Sequence, residues 1–189
     1  MRKVKLQMQL SVDGFVAGPN GELDWMVWNW DDTLKHYVGE LTDSVDTMFV
    51  GAKTYKGMAA YWPGAEADVN NPERPFARKM NSLNKIVFSN TLENAEWENS
   101  RLAKKTLQEE VAELKEQEGR DIIIYGGAGI VSGFITHGLI DEYHIFINPV
   151  LLGQGKTITQ ELGDKLKLKL VKTTTTTVGI VILCYVPEN

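Results

Sequence analysis

The sequence predicts an α/β protein with a mainly parallel central sheet, helices on both faces and an antiparallel hairpin at its C-terminal edge. Three observations carry that expectation. Apolar runs too short for helices, at residues 47–50, 86–88 and 122–125, alternate with segments whose apolar residues recur at helical spacing. Two of those runs end in glycine and lead at once into a helix start, at Gly51 and at Gly126-Gly127. After Glu142 only strand patterns remain, and Val178-Gly179 between the last two makes them a hairpin.

In chain order, Val4, Leu6, Met8 and Leu10 alternate with Lys5, Gln7, Gln9 and Ser11, a strand with one apolar and one polar face. Asp13-Gly14 opens a bend, Phe15, Val16 and Ala17 resume an apolar register, and residues 18–21 are a loop by composition. Trp25, Trp28 and Trp30 follow, either as a pocket wall or as packing on the body of the domain. Asp31, Asp32 and Thr33 suit the cap of a helix carrying Leu34, Tyr37, Val38 and Leu41.

The helix starting at Ala52 is expected to run to about Tyr61 and stop before Pro63, with residues 63–82 a long surface loop. Trp97 is expected to mark a short strand, and Leu107, Val111 and Leu114 set an amphipathic helix over about 104–118. Past the 122–125 strand, Ile130, Val131, Phe134 and Ile135 recur at helical spacing. Tyr143, Ile145 and Ile147 alternate along a strand, and residues 165–177 and 179–186 form the hairpin, its threonine run half-exposed sheet.

Composition narrows the function classes. At 189 residues the chain is sized for one domain with a proper core, spanning residues 1–189. A formal net charge of −5 leaves no general footprint for nucleic acid or an anionic membrane, so neither is expected as a partner. No apolar stretch reaches the ~20 residues of a membrane span, and Lys3, Lys5, Gln7 and Gln9 interrupt any leader-like run. The single Cys184 cannot form an internal disulfide, which fits a cytoplasmic location. One cysteine also cannot make the zinc pattern of deaminases, and no metal is expected.

The glycine turns carry the chemistry. Gly126, Gly127 and Gly129 present backbone N–H groups at a helix N-terminus with no Cβ in front of them, which suits a phosphate; a tight packing turn is the other reading. It is not the Rossmann fingerprint. Counted from Gly127, the last glycine position falls on Ser132, and Pro149 stands where an acidic ribose ligand belongs. Gly51 opens a second such unit and brings Lys53 and the Thr54 hydroxyl to a helix start, while Ser89 follows the 86–88 strand. Ligands of parallel sheets bind beyond the carboxyl ends of the strands, so all three turns converge on one edge.

Residues 11–18 (SVDGFVAG), 51–55 (GAKTY), Ser89, 126–129 (GGAG) and 138–153 (GLIDE through PVLLG) stand in this order along nearly the whole chain. On these residues the chain resembles the dihydrofolate-reductase-like family, in the branch of the reductase domain of bifunctional riboflavin-biosynthesis deaminase/reductases. The resemblance implies a three-layer dihydrofolate-reductase-like fold and an NADPH-dependent reductase that passes hydride to a small pyrimidine- or pterin-like heterocycle. It also implies a homodimer paired through the C-terminal strands. Gly51, Lys53 and Thr54 would meet cofactor phosphates, with Ser89 near the adenosine end. Gly126-Gly127, through a cis peptide, would pass under the pyrophosphate, with Ala128, Gly129 and Ile130 at the helix N-terminus. Val16 and Ala17 would lie beside the nicotinamide, with Gln9 and Trp25 toward the substrate and residues 18–24 as the closing loop.

Two departures from the family pattern leave the reading open. Ala52 stands where an arginine usually helps hold the 2′-phosphate, and Lys53 supplies a point charge without a bidentate fork. The carboxylate that dihydrofolate reductases turn on the pterin has Asp31 or Asp32 as its nearest equivalent, and either residue serves equally as a helix cap. Three functions follow: a 5-amino-6-(5-phosphoribosylamino)uracil reductase type, a dihydrofolate reductase, or a nucleotide-binding module without turnover.

Overall fold

The computed structural model describes residues 1–188. The elements run β1 (Val4–Ser11), α1 (Asp32–Asp43), β2 (Val45–Gly51), α2 (Ala52–Ala67), α3 (Arg74–Ser82), β3 (Asn84–Phe88), β4 (Ser100–Leu102), α4 (Leu107–Glu116), β5 (Asp121–Ile124), α5 (Ala128–Thr136), β6 (Glu142–Asn148), β7 (Leu168–Thr175) and β8 (Val181–Pro187). The strands form one eight-stranded sheet in the order β4-β3-β2-β5-β1-β6-β8-β7. All pairs from β4 to β6 are parallel, and β8 and β7 add the antiparallel edge.

The two faces of the sheet follow from the alternation in its strands. Val4, Leu6, Met8 and Leu10 of β1 pack with Val111 and Leu114 of α4 and Val131 and Phe134 of α5. Phe49 of β2 joins that layer, its ring 5.1 Å from Phe134. On the other face Met48, Val50, Val87 and Ile123 meet Leu41 of α1, Tyr55 of α2 and Met80 of α3. Leu34 and Val38 of α1 cover Phe146, Ile180 and Ile182. Each fully buried Leu, Ile or Phe in these layers contributes about 1.5–3 kcal/mol. The polar face of β1 is buried too: the Lys5 ammonium lies 2.9 Å from Asp121 and donates to Ser44 Oγ at 2.9 Å.

Three local expectations need correction. α2 does not stop before Pro63 but carries it inside the helix to Ala67. An interior proline costs a helix about 3 kcal/mol or more, and tertiary contacts offset it here. Ala65 is buried, Glu66 accepts from Asn81 Nδ2 at 2.6 Å, and the Glu66 carbonyl accepts from Arg74 at 2.9 Å. Residues 63–82 are therefore not one loop. Pro75 lies in the first turn of α3, which buries Ala77, Met80 and Asn81. Trp97 is not in a strand. It is buried, with its indole N–H on Asn81 Oδ1 at 2.8 Å, and the short strand β4 begins three residues later. α4 is shorter than expected because Thr106 and Glu109 close a capping box at its start.

Candidate active site

β2 and β5 are neighbours and end side by side. Gly51 N–H donates to Gly126 O at 3.2 Å, and Tyr125 N–H to Phe49 O at 3.2 Å. Gly51 and Gly127 are the N-caps of α2 and α5, and neither helix start receives a side-chain cap, whereas Asp31 and Thr106 cap α1 and α4. Uncapped N–H groups at two adjoining helix starts leave donors for a ligand anion.

The patch is built for close approach. Gly126 and Gly127 hold φ of +96° and +69°, conformations that favour glycine. A Cβ on Gly127 would lie 3.3 Å from Ile130 Cγ2, 3.7 Å from Gly51 Cα and 3.9 Å from Thr54 Oγ1. A Cβ on Gly126 would sit 3.7 Å from Met8 Cε and 3.9 Å from Thr54 Oγ1. Gly51, Thr54, Gly126, Gly127 and Ile130 thus share one surface, and Ala128 and Gly129 begin the helix beside it. Residues that would hold a dinucleotide's phosphates fit that group here: small, donor-bearing and free of acidic side chains in the first turns of both helices. No cis peptide occurs among the described residues, so the Gly126–Gly127 bond is trans and the two left-handed glycines make the turn instead.

The wall beside the cradle is assembled from distant segments. Val16 N–H donates to Lys156 O at 2.8 Å, and Lys156 N–H to Ala17 O at 2.9 Å. A side chain at Gly155 would run into Ala17 O and Phe15, so glycine is required there. Asp13 accepts from the backbone of Leu152 and Gly153, tying the bend after β1 to the segment after β6. Residues 18–22 fold on themselves, Glu22 accepting from Asn20 and its carbonyl from Gly18 N–H and the Trp25 indole.

Gln9, toward the carboxyl end of β1, is half-buried, and its Oε1 accepts from Asn148 Nδ2 at 2.7 Å. Asn148 is fully buried, and its Oδ1 accepts from Val27 N–H at 3.0 Å. That arrangement turns the Gln9 amide N–H groups away from Asn148. One row below, Tyr37 Oη lies 2.7 Å from His144 Nδ1, and burial pushes the tyrosine hydroxyl's pKa up. Asn148, Lys156 and the Tyr37–His144 pair were not expected from the sequence. The one available signal for Asn148 is a polar residue closing an apolar alternation just before Pro149.

Asp31 and Asp32 differ. One Asp31 oxygen accepts from Leu34 N–H at 2.8 Å, the other from Thr177 N–H at 2.5 Å and Thr177 Oγ at 2.7 Å. These bonds hold its carboxyl below the usual range, the Leu34 N–H foremost. Asp31 is the N-cap of α1 and its clamp to the β7–β8 turn. Asp32 is exposed in the first turn, with no side-chain hydrogen bond among the described residues. Ser89 lies just past β3, where its Oγ accepts from Thr91 and Leu92 N–H. A cavity of about 650 Å³ beside Trp97 and Asn81 includes none of these residues in its lining.

The sequence matches the RibD C-terminal domain family over residues 2–182. The uncharacterized protein YyaP of Bacillus subtilis (strain 168) is 33% identical over 184 residues, 97% of this chain and 94% of that protein. The riboflavin biosynthesis protein RibD of Corynebacterium ammoniagenes is 26% identical over 159 residues, which cover 82% of this chain but 45% of that protein. Among solved structures, a diaminohydroxyphosphoribosylaminopyrimidine deaminase/5-amino-6-(5-phosphoribosylamino)uracil reductase from Thermotoga maritima superposes with a TM-score of 0.69 at 20% identity, over 99% of this chain and 57% of that one. A dihydrofolate reductase from Enterococcus faecalis superposes with a TM-score of 0.63 at 15% identity, over 99% and 97% of the two chains. The fold is dihydrofolate-reductase-like.

Proposed function

The chain belongs to the RibD C-terminal domain family, and from that membership we propose that it is an NADPH-dependent reductase of a small pyrimidine-like heterocycle, of the 5-amino-6-(5-phosphoribosylamino)uracil reductase type. The observation that carries the reading is the glycine cradle, where Gly51 and Gly126 hydrogen-bond and Gly127 leaves no side chain over two uncapped helix starts. When bound, the nicotinamide cofactor would supply a hydride, one proton with two electrons, to an electrophilic carbon of the acceptor, and the heteroatom that receives the displaced electron pair would take its proton from solvent. The chain's part is to orient and to exclude water. Thr54 and the N–H groups of the cradle would take the phosphates, and Val16 and Ala17, pinned by Lys156, would set the wall against the ring. Gln9, its oxygen held by Asn148, offers amide N–H groups to a polar atom of the acceptor.

The same-class alternative, dihydrofolate reduction, asks for a carboxylate facing the substrate. With Asp31 spent on Leu34 and Thr177, only the exposed Asp32 is left for that role. The test is the thermal shift of the protein with NADPH and with NADH, followed by oxidation of NADPH in the presence of the phosphoribosylaminouracil. Stabilisation by NADPH with turnover of that acceptor is expected. Stabilisation without turnover of any candidate would favour the nucleotide-binding module.

A homodimer is part of the same reading. Ile145, Ile147, Leu183 and Tyr185 lie half-exposed on the sheet face away from α1, beside Leu170 at 49% exposure. A two-fold interface pairs one apolar patch with its own copy, and this face offers such a patch beside the core against which Ile145, Ile147 and Tyr185 partly pack. Light scattering of the wild type and of Leu183→Glu tests it: a dimer that falls to monomer is expected, and a monomeric wild type removes the idea.

A further inference from the structure

Two lysines from opposite parts of the chain converge at the mouth of the cradle. Lys53 lies in the first turn of α2, and Lys156 follows the β6 segment. A Cβ built on Gly21, whose φ is +94°, would lie 2.5 Å from Lys53 Nζ and 3.8 Å from Lys156 Nζ. Both ammonium groups therefore sit around one point under the 18–22 loop. Neither makes an ion pair among the described residues, although eight other lysines and arginines do. The loop's own carboxylate, Glu22, is turned back onto Asn20.

In a protein of net charge −5, two like charges left facing each other without a carboxylate are an unspent attraction for an anion. Lys156 is also not a free surface side chain at its root. Its backbone is bonded on both sides to Val16 and Ala17, and glycine is forced at 155, so its position is fixed relative to the wall beside the cradle.

We infer that Lys156 and Lys53 form a two-ammonium seat for a phosphate group of a nucleotide ligand. The assignment deepens the reductase reading and rests on it for the ligand's identity, but not for the anion chemistry. It adds a cation where Ala52 removes one from the family pattern. The phosphate can come from the cofactor's diphosphate, from its 2′-phosphate or from a phosphorylated substrate, and binding measurements separate the three.

The experiment titrates wild type, Lys156→Gln and Lys156→Arg with NADPH, NADH and inorganic pyrophosphate, at two salt concentrations, with each variant's melting temperature as a folding control. Loss of a charge-assisted phosphate contact is expected to weaken binding about tenfold, with a shallower salt dependence and substantial recovery in the arginine variant. Equal losses for NADPH and NADH put the diphosphate between the lysines, and a larger loss for NADPH puts the 2′-phosphate there. If both dinucleotides bind Lys156→Gln as they bind wild type, but pyrophosphate does not, the seat serves the substrate's phosphate. Wild-type affinity of Lys156→Gln for all three anions overturns the inference, as does a wild type that binds none of them. A wild type that binds pyrophosphate through Lys156 but neither dinucleotide upholds the seat and removes the reductase reading.

Discussion

Asp13 and Gly153, 140 positions apart, are joined by a 2.7 Å hydrogen bond from the Gly153 N–H to the Asp13 carboxylate. Leu152 N–H adds 3.1 Å contacts to both oxygens, and Ser11 Oγ donates at 2.6 Å. Residues 11–18 and 138–153, two of the stretches that carry the family resemblance, thus form one structural unit. Through Lys156 and Ala17 that unit also fixes the wall of the proposed cofactor site.

Asp13→Ala is expected to speed amide exchange at Leu152 and Gly153, to lower the melting temperature and to reduce the shift produced by NADPH. The Ser11 hydroxyl and then the Gly153 N–H hold the Asp13 carboxyl down at about 2. A carboxyl depressed in the folded state stabilises it above the unfolded value near 3.9, and that contribution fades as pH falls toward 2. The wild type and Asp13→Ala should therefore differ most in melting temperature above pH 4 and converge in strong acid. Parallel curves would mean that the Asp13 carboxylate takes no part in the acid dependence of stability.

How much of this was readable beforehand depends on where the physical cause lies. Strands such as β1 and β5 were legible because period-2 alternation and a β-branched run are local signals. The glycine turns were legible for the same reason. α3 was not, although Phe76, Ala77 and Met80 share one face opposite Arg74 and Arg78, because nine residues are short for a helix and Pro72 and Pro75 read as loop. The continuation of α2 through Pro63 depends on Asn81 and Arg74, far along the chain. Within the candidate site, Lys156 and Asn148 were invisible since their partners, Ala17 and Gln9, are over a hundred residues away. Asp31 was visible as a cap and as an acid, and only the Thr177 contact separates the two roles.

Asp31→Ala is expected to loosen the start of α1 and the β7–β8 turn together, because one carboxylate serves both. The melting temperature falls, and exchange at Leu34 and Thr177 N–H accelerates. The affinity for NADPH stays as in wild type, since none of these contacts reaches the cradle. A normal melting temperature with a displaced acid limb in the pH–rate profile would instead return Asp31 to the chemistry.

Gly127→Ala tests the cradle. The new Cβ meets Ile130 Cγ2 at 3.3 Å and sits on a backbone with φ of +69°, so the substitution is strained at its own position. A loss of about 1 kcal/mol or more is expected from the backbone conformation alone, read as a lower denaturation midpoint. The stabilisation by NADPH should vanish, whereas Gly129→Ala, with nothing within 4 Å of its Cβ, folds normally and shows whether a ligand needs that space. Full NADPH stabilisation of Gly127→Ala would remove the cradle from the cofactor's path.

Lys85 gives the fold its own pH dependence, apart from the site. It is 1% exposed on β3, donates to the carbonyls of Asn81 at 2.5 Å and Glu98 at 2.9 Å, and holds its ammonium 4.2 Å over the Trp97 ring. Carbonyl dipoles and a π-face solvate the charge less well than water does, and burial brings the amine down to about 8. The unfolded chain, with an ordinary lysine near 10.4, binds more protons than the folded one between those values, so stability rises as pH climbs from about 8 to about 10. Denaturant titrations across that range should show the rise in wild type and lose Lys85's share of it in Lys85→Met, which has no proton to exchange. At neutral pH the variant exchanges relief from a buried charge for an unpartnered Glu98 carbonyl, while the Asn81 carbonyl keeps Asn99 Nδ2 at 3.1 Å. An unchanged slope in Lys85→Met would mean that other groups carry the alkaline dependence and that Lys85 keeps an ordinary affinity for its proton.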